Sequence, residues 1–441
     1  MPPTNWPSGA SAWRSSTRAP SRRWTWTRSS PPCRRRAGPS SPRRASNSAA
    51  SPPRSPPRSR SRPSTTSTRR SSAWARRSAR CRSAPPWRRP GCPPRTTSSR
   101  PSTRSSLPAS DGSAGRVGSV GLIANPAAGR DIRRLVAHAS VVSTNEKVRI
   151  VRRLLLALDA AGVEHVHYMP DTSHLATRAA RDQGLRLRLE PLRGAFRGVA
   201  SDTTLAARRM AEEGAACLVS LGGDGTNRAI ALGTTAVPLI PLSTGTNNVF
   251  PGARESTIAG LAAAAIATGR VDADAIAPRS KLIEVGLPGG DEVALIDVAV
   301  LEGSIVGSRA IWDPALLREI VLTRADPAAV GLAAIGGAVT SIGPDDAAGL
   351  HVRIGGGEAR RVRVPLAPGL VRTVSIGAVR RLDVAAIVPV TGPALLAFDG
   401  EREVVLAAGQ SAQLRLTRAG PPVVDVDACL RAAREAGFLT E

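Results

Sequence analysis

The sequence predicts an α/β protein in which a parallel-sheet domain is followed by a β-rich domain, behind a disordered Arg/Ser/Pro-rich segment. Three observations predict it. Apolar strand-like runs alternate with helical stretches from about residue 117 to residue 277. Two of the runs end in loops of Gly, Ser, Thr and Asn. Beyond residue 278 the pattern changes to many short β-like runs.

The elements follow in order. Val117–Ala124 reads as a buried strand, ended by Asn125-Pro126 and a small-residue turn through Gly129. Over 145–161 an apolar stripe at Val148, Val151, Leu155 and Leu158 predicts a helix with Arg on its other face. Val163–Met169 is a strand, 172–183 a polar helix, and Leu185, Leu187 and Leu189 alternate with Arg as in a half-exposed strand. Ser201-Asp202-Thr203 offers a cap for a helix reaching Glu213. Ala216–Leu221 is a buried strand, with a helix starting near Asn227; Val237–Leu242 is another strand, and 256–269 an alanine-rich helix. This alternation predicts a Rossmann-like parallel sheet over 116–277, with ligand loops at the C-terminal strand ends.

Over 278–420 the β-like runs are Lys281–Leu287, Glu292–Leu301, Leu350–Ile354, Arg360–Leu366, Val371–Ile376, Leu382–Val388 and Gln413–Leu416, interrupted by a helix expected at Pro314–Thr323. The last stretch, 421–441, reads as a helix returning to the first domain.

The net charge of +27 suggests a nucleic-acid binder, but the charge is unevenly placed. Residues 1–110 hold 25 Arg and no Lys, Asp or Glu, whereas the rest of the chain holds 36 basic and 34 acidic residues. Nucleic acid is therefore not expected as a partner of the body. Six of the seven Trp and one lone Leu fall in the same 110 residues, which contain no Val, Ile, Phe or Tyr. So little aliphatic surface cannot offset chain entropy, and residues 1–115 are expected to be disordered. The composition is that of a GC-rich gene read in the wrong frame, or from a start placed too far upstream. An Arg/Ser tail on phosphate backbones and a transit peptide are the alternatives.

Arg, Asp or Gly interrupts every apolar run before it could span a membrane. The body holds only Cys217 and Cys429, with no CxxC, which excludes a disulfide framework or zinc site and suits a reducing cytoplasm. His165 and His167 alternate on a strand with no third ligand at metal spacing, and His138 and His174 stand alone, so all four read as structural or exposed.

The chemistry concentrates at Gly222-Gly223-Asp224-Gly225-Thr226, between a buried strand and a helix. Glycines let backbone amides approach a polyphosphate, and the helix N-terminus favours anions. A carboxylate beside phosphates is electrostatically unfavourable unless it serves Mg²⁺ or takes a proton from an attacking hydroxyl. The loop Ser243-Thr244-Gly245-Thr246-Asn247-Asn248 follows the next strand and adds donors for phosphate and ribose.

Together these residues resemble the superfamily of NAD kinases and diacylglycerol/sphingosine-type lipid kinases. Within it the chain is similar to the ATP-NAD kinase-like proteins associated with acetoin catabolism. Five stretches carry the resemblance: IANPAAGRDIRRL (Ile123–Leu135), VSLGGDGTNRA (Val219–Ala229), PLSTGTNNVFP (Pro241–Pro251), ALIDVAV (Ala294–Val300) and FDGE (Phe398–Glu401). It implies an ATP- and Mg²⁺-dependent kinase, most simply one that converts NAD to NADP, and self-association. No direct protein cage for the metal is implied. Asn125 would lie in the first nucleotide-contacting loop. Gly222, Gly223, Gly225 and Thr226 would cradle phosphates, and Asp224 would be the general base. Thr244, Gly245, Thr246 and Asn247 would line the phosphate and ribose site, with Asn248, Asp297, Asp399 and Gly400 toward the acceptor. Asp131, Arg133 and Arg134 follow the first strand and read equally as phosphate contacts or as a solvated face.

Ile296 stands where NAD kinases carry the Asn of an Asn-Asp pair, and TGTNN and Asp399-Gly400-Glu401 are nearer the lipid-kinase forms. A lipid or other small-alcohol kinase and a non-catalytic NAD(H) sensor therefore stand as alternatives.

Overall fold

The structure is a computed structural model that describes residues 118–128, 138, 142–245, 247–302, 313–356, 360–400 and 402–440. The disorder expected for 1–115, and the roles expected of Thr246, Asp131, Arg133, Arg134 and Glu401, concern residues outside that set.

The α/β half is built on a five-stranded parallel sheet in the order β3-β2-β1-β4-β5. Its strands are β1 (Val120–Ala124), β2 (His165–Tyr168), β3 (Arg188–Pro191), β4 (Cys217–Gly222) and β5 (Leu239–Ser243). β1 and β4 are buried along their whole length, as central strands covered on both faces must be. One face carries α1 (Thr144–Ala160), α2 (Leu175–Ala180) and α5 (Ser256–Ala267). The other carries α3 (Ala200–Glu212) and α4 (Asp224–Gly233). The cap of α1 is Ser143, whose hydroxyl accepts from the Glu146 amide.

After the short α6 (Ala273–Ile276) the chain turns antiparallel. Its strands are β6 (Leu282–Gly286), β7 (Glu292–Ala294), β8 (Asp297–Leu301), β9 (Leu317–Leu322), β10 (Ala348–Ile354), β11 (Arg360–Ala367), β12 (Leu370–Asp383), β13 (Ile387–Thr391), β14 (Ala394–Phe398), β15 (Arg402–Leu406) and β16 (Ser411–Thr417). They form a seven-stranded sheet, β11-β12-β10-β9-β8-β14-β15, and a four-stranded sheet, β13-β16-β6-β7. One apolar cluster fills the space between the two sheets, and another lies under α7 (Leu332–Gly337). The parallel α/β sheet followed by β-rich sheets is the fold class the sequence predicts.

The helix expected at Pro314–Thr323 is corrected. Asp313 caps a single 3-10 turn at Pro314–Leu316, and 317–322 is strand β9, hydrogen-bonded between β8 and β10. The runs at 371–376 and 382–388 are also regrouped, into the 14-residue β12 and a separate β13. The C-terminal segment returns to the α/β half. Leu239 of β5 exchanges backbone bonds with Pro422 and Val424, and α8 (Val426–Glu435) packs on α5. Arg254 meets Asp427 there with both guanidinium nitrogens, at 2.7 and 2.5 Å.

Candidate active site

Because β1, β4 and β5 are neighbours, the loops at their C-terminal ends meet. The Asn125 amide donates to the Leu221 carbonyl, and Ser243 pairs with Gly222. The Asn125 side chain accepts from the Ala127 amide at 2.9 Å and donates to the Thr226 hydroxyl at 3.0 Å, tying the first loop to the first turn of α4. Asn227 stiffens the strand-to-helix turn, accepting from Ser220 Oγ at 2.7 Å and donating to the Gly223 carbonyl at 2.8 Å.

Close approach explains the glycines here. A Cβ on Gly222 would lie 2.5 Å from the Thr226 side chain, and one on Gly223 would lie 2.9 Å from Asn248 Oδ1. A Cβ on Gly245 would meet Asn248 Nδ2 at 3.0 Å. Asn248 itself donates to Ser243 Oγ at 2.8 Å, so it braces the β5 loop against the turn. The hydroxyl of buried Thr244 has no hydrogen-bond partner among the described residues. The first-turn amides of α4, the gap left by the glycines and this hydroxyl fit a polyphosphate.

Asp224 opens α4, with Gly223 as its cap. Its carboxylate accepts from the Phe250 amide at 2.8 Å and from the Val249 amide at 3.1 Å. Asp224 thereby latches the β5 loop onto the helix N-terminus, where the dipole stabilises negative charge. A cleft runs from this point into the β-rich half, lined by Asp224, Asn247 and Val249 on one side and by Asp297, Leu332 and Asp399 among others on the opposite side. Gly400 also lines it.

Asp399 and Gly400 are both left-handed, with φ of 49° and 71°, which makes the tight β14–β15 turn. The turn buries the Asp399 carboxylate, which accepts from the amides of Leu295 (2.9 Å), Ile296 (2.8 Å) and Asp297 (3.1 Å). Burial pushes its pKa up, and these bonds and the Arg228 charge only partly oppose that. The Ile296 side chain is fully buried in the apolar core rather than facing the cleft.

Three basic residues to which the sequence reading gave no role, Lys147, Arg228 and Arg324, hold this arrangement. Buried Lys147 donates to the carbonyls of Asn125 (3.3 Å), Pro126 (2.8 Å) and Ala128 (2.5 Å), fixing the first loop from α1. Its signal was present in the sequence, since Lys147 lies four residues before Val151 on the apolar stripe. Arg228 of α4 reaches into the β-rich half, where it binds Glu292, donates to the Val293 carbonyl at 2.6 Å and lies over the Phe398 ring. Arg324 reaches the other way, donating to the Val249 carbonyl at 3.1 Å over the Phe250 ring. Burial lowers the Arg324 pKa, and the nearby Asp224 charge opposes the shift.

Among the described residues no group of three His, Cys, Asp or Glu side chains is arranged to hold a metal ion. His167 sits 3.6 Å from Glu213 and 4.0 Å from Glu190 at the sheet margin. No described helix is long and apolar enough to cross a membrane.

The structure thus combines a parallel sheet, a glycine-rich strand–helix junction and a β-rich half. Accordingly, residues 120–271 match the ATP-NAD kinase N-terminal domain, and residues 281–419 match the acetoin catabolism protein X C-terminal domain. The chain is 37% identical over 331 residues to acetoin catabolism protein X of Cupriavidus necator, covering 71% of this chain and 92% of that protein. It belongs to the acetoin catabolism protein X family. Among solved structures it is similar to yeast NADH kinase complexed with NADH, at 13% identity and a TM-score of 0.44, over 74% of this chain and 89% of that one.

Proposed function

We propose that the chain is an ATP-dependent kinase that transfers the γ-phosphoryl group to a hydroxyl, the 2′-hydroxyl of NAD, in a cytoplasmic setting. The observation that carries this reading is Asp224, an oriented carboxylate at the lip of the cleft beside a turn shaped for phosphates. The amides of Val249 and Phe250 fix the direction of this carboxylate, a group of the kind that takes a proton from an attacking hydroxyl.

The first-turn amides of α4, with the hydroxyls of Thr226 and Thr244, hold the polyphosphate. Asn125 positions the Thr226 hydroxyl, and Asn247 faces the acceptor from the β5 loop. Mg²⁺ carried with the nucleotide supplies neutralisation of phosphate charge, which a cleft lined by Asp224, Asp297 and Asp399 itself cannot. Asp224 accepts the hydroxyl proton as the phosphoryl group moves, and catalysis is otherwise positioning. The cleft encloses about 40 Å³, against the roughly 300–1,000 Å³ of ligand sites. The enclosed part of the cleft is thus smaller than a dinucleotide.

The test incubates the full chain with Mg-ATP and NAD and reads NADP with a coupled dehydrogenase. NADP formation that disappears in Asp224→Asn supports both acceptor and base; ATP binding with no NADP rejects NAD as acceptor. A second reading, a lipid or small-alcohol kinase, is favoured by the apolar lining at Val249, Val330, Leu332 and Leu366. ADP release on adding such alcohols, without NADP formation on NAD, would select it. NAD(H) binding without turnover would leave a sensor.

A further inference from the structure

A second cleft, of about 650 Å³, opens where the seven-stranded sheet extends past the four-stranded sheet that covers part of it. The two sheets close over Val321, Leu382 and Val388. Beyond that apolar contact the same face of β9, β10 and β12 carries charged side chains. Pairing sets Glu319 opposite Arg353, and His351 opposite Arg380. Since side chains alternate along a strand, these four point into one cleft, with Arg318 at its rim and Val388, Pro389 and Thr391 of β13 as the far wall.

Glu319, the one carboxylate that lines it among the described residues, is already engaged. Glu319 meets His351 Nε2 at 2.8 Å and Arg318 at 3.3 Å. Its carboxyl lies below the usual range although burial opposes this, because His351 and Arg318 outweigh it. Arg318 is held further by the Thr391 carbonyl at 3.3 Å. Arg353 and Arg380 have no hydrogen-bond or ion-pair partner among the described residues, even though Arg353 lies opposite Glu319 in register. They are diagonal neighbours on adjacent strands, about 7–8 Å apart at the backbone, within mutual reach for side chains of this length. Two guanidinia so placed repel unless an anion lies between them, and their fork geometry suits an oxyanion.

We propose that this cleft is a second ligand site, separate from the Asp224 cleft, for a small molecule bearing a phosphate or carboxylate group. Arg353 and Arg380 grip the anion, the Glu319–His351 pair holds the sheet face behind it, and Ala378, Val388 and Pro389 take the carbon body. Glu319 repels a ligand's second acidic group on its own side, so the anion is placed toward β12.

Calorimetric titration of the full chain tests it, with inorganic phosphate and citrate as separate probes at ionic strength matched with sodium chloride. Saturable binding of either probe, weakened at least tenfold in R353A/R380A and less in R380K, is expected; which probe binds tells phosphate from carboxylate. Both arginines are exposed, and an unchanged melting transition in the variants keeps the comparison fair. Binding equal in wild type and double variant, or no saturable binding of either probe, overturns the proposal. So does self-association of the chain lost in the double variant and indifferent to both anions, which would give the cleft to a second copy.

Discussion

Replacing Asp224 by Asn changes one atom and separates two roles of the same carboxylate. In the structure its oxygens accept from the Val249 amide at 3.1 Å and the Phe250 amide at 2.8 Å. Asparagine keeps one acceptor and turns the other oxygen into a donor facing the Val249 amide. Hydrogen bonds to a charged group contribute about 1.5–3 kcal/mol and neutral ones about 0.5–1.5. The loss is therefore about 1–2 kcal/mol, with about 0.5 more from the uncompensated helix N-terminus. At about 2–4 °C per kcal/mol the melting temperature should fall by about 3–10 °C, with the fold intact. Turnover, if Asp224 is the base, should fall by at least about 10²-fold, beyond anything a shift of that size in a still-folded protein could cause. Scanning calorimetry and the coupled NADP assay on the same samples give both numbers. A variant that melts like wild type would refute the latch, and one that keeps its turnover would refute the base.

Other substitutions read other parts of the molecule. Gly222→Ala places a methyl 2.5 Å from the Thr226 side chain and should destabilise by about 1–3 kcal/mol while weakening nucleotide binding, both measurable by thermal shift with and without ATP. Lys147→Met leaves three loop carbonyls without their ammonium donor; about 2–4 kcal/mol of stability should go, and proteolysis near residues 125–128 should quicken. For Glu319 the folded carboxyl lies below its unfolded value, so its stabilisation is present above the unfolded pKa of about 4.3 and is lost as pH falls through the folded one. Glu319→Gln should thus cost about 1 kcal/mol at pH 7, and the gap to wild type in urea titrations should close on acidification below pH 4.

The parallel half was legible because its signals are local. β1 and β4 are unbroken apolar runs, and the turn after β4 announces itself through glycines at short spacing. The error at Pro314–Thr323 came from signals that serve two structures. Asp313-Pro314 begins a helix or a single turn, and Leu317, Ile320 and Val321 fall at helical spacing as well as on a buried strand. The pairing with β8 and β10 that decides the matter joins residues far apart in the chain. The motif residues of the site were named from sequence, but what braces them was not. Arg228 and Arg324 look like surface charges until the two halves meet, and the amides of Val249 and Phe250 are invisible to any reading of side chains.

Two of the three cleft aspartates, Asp224 and Asp399, are held by backbone amides, yet their surroundings differ. Asp399 accepts three amides in a fully enclosed turn, and burial favours its protonated form. Its presence in an Asp-Gly turn is explained by what it does for the Leu295–Asp297 backbone, without any chemistry. Asp224 stands at a helix N-terminus with Arg324 close by, both of which favour the carboxylate. Arg228 and Arg324 reach between the two halves in opposite directions, beside the apolar cluster that joins the same halves through Ile230, Phe250, Leu295 and Ile296.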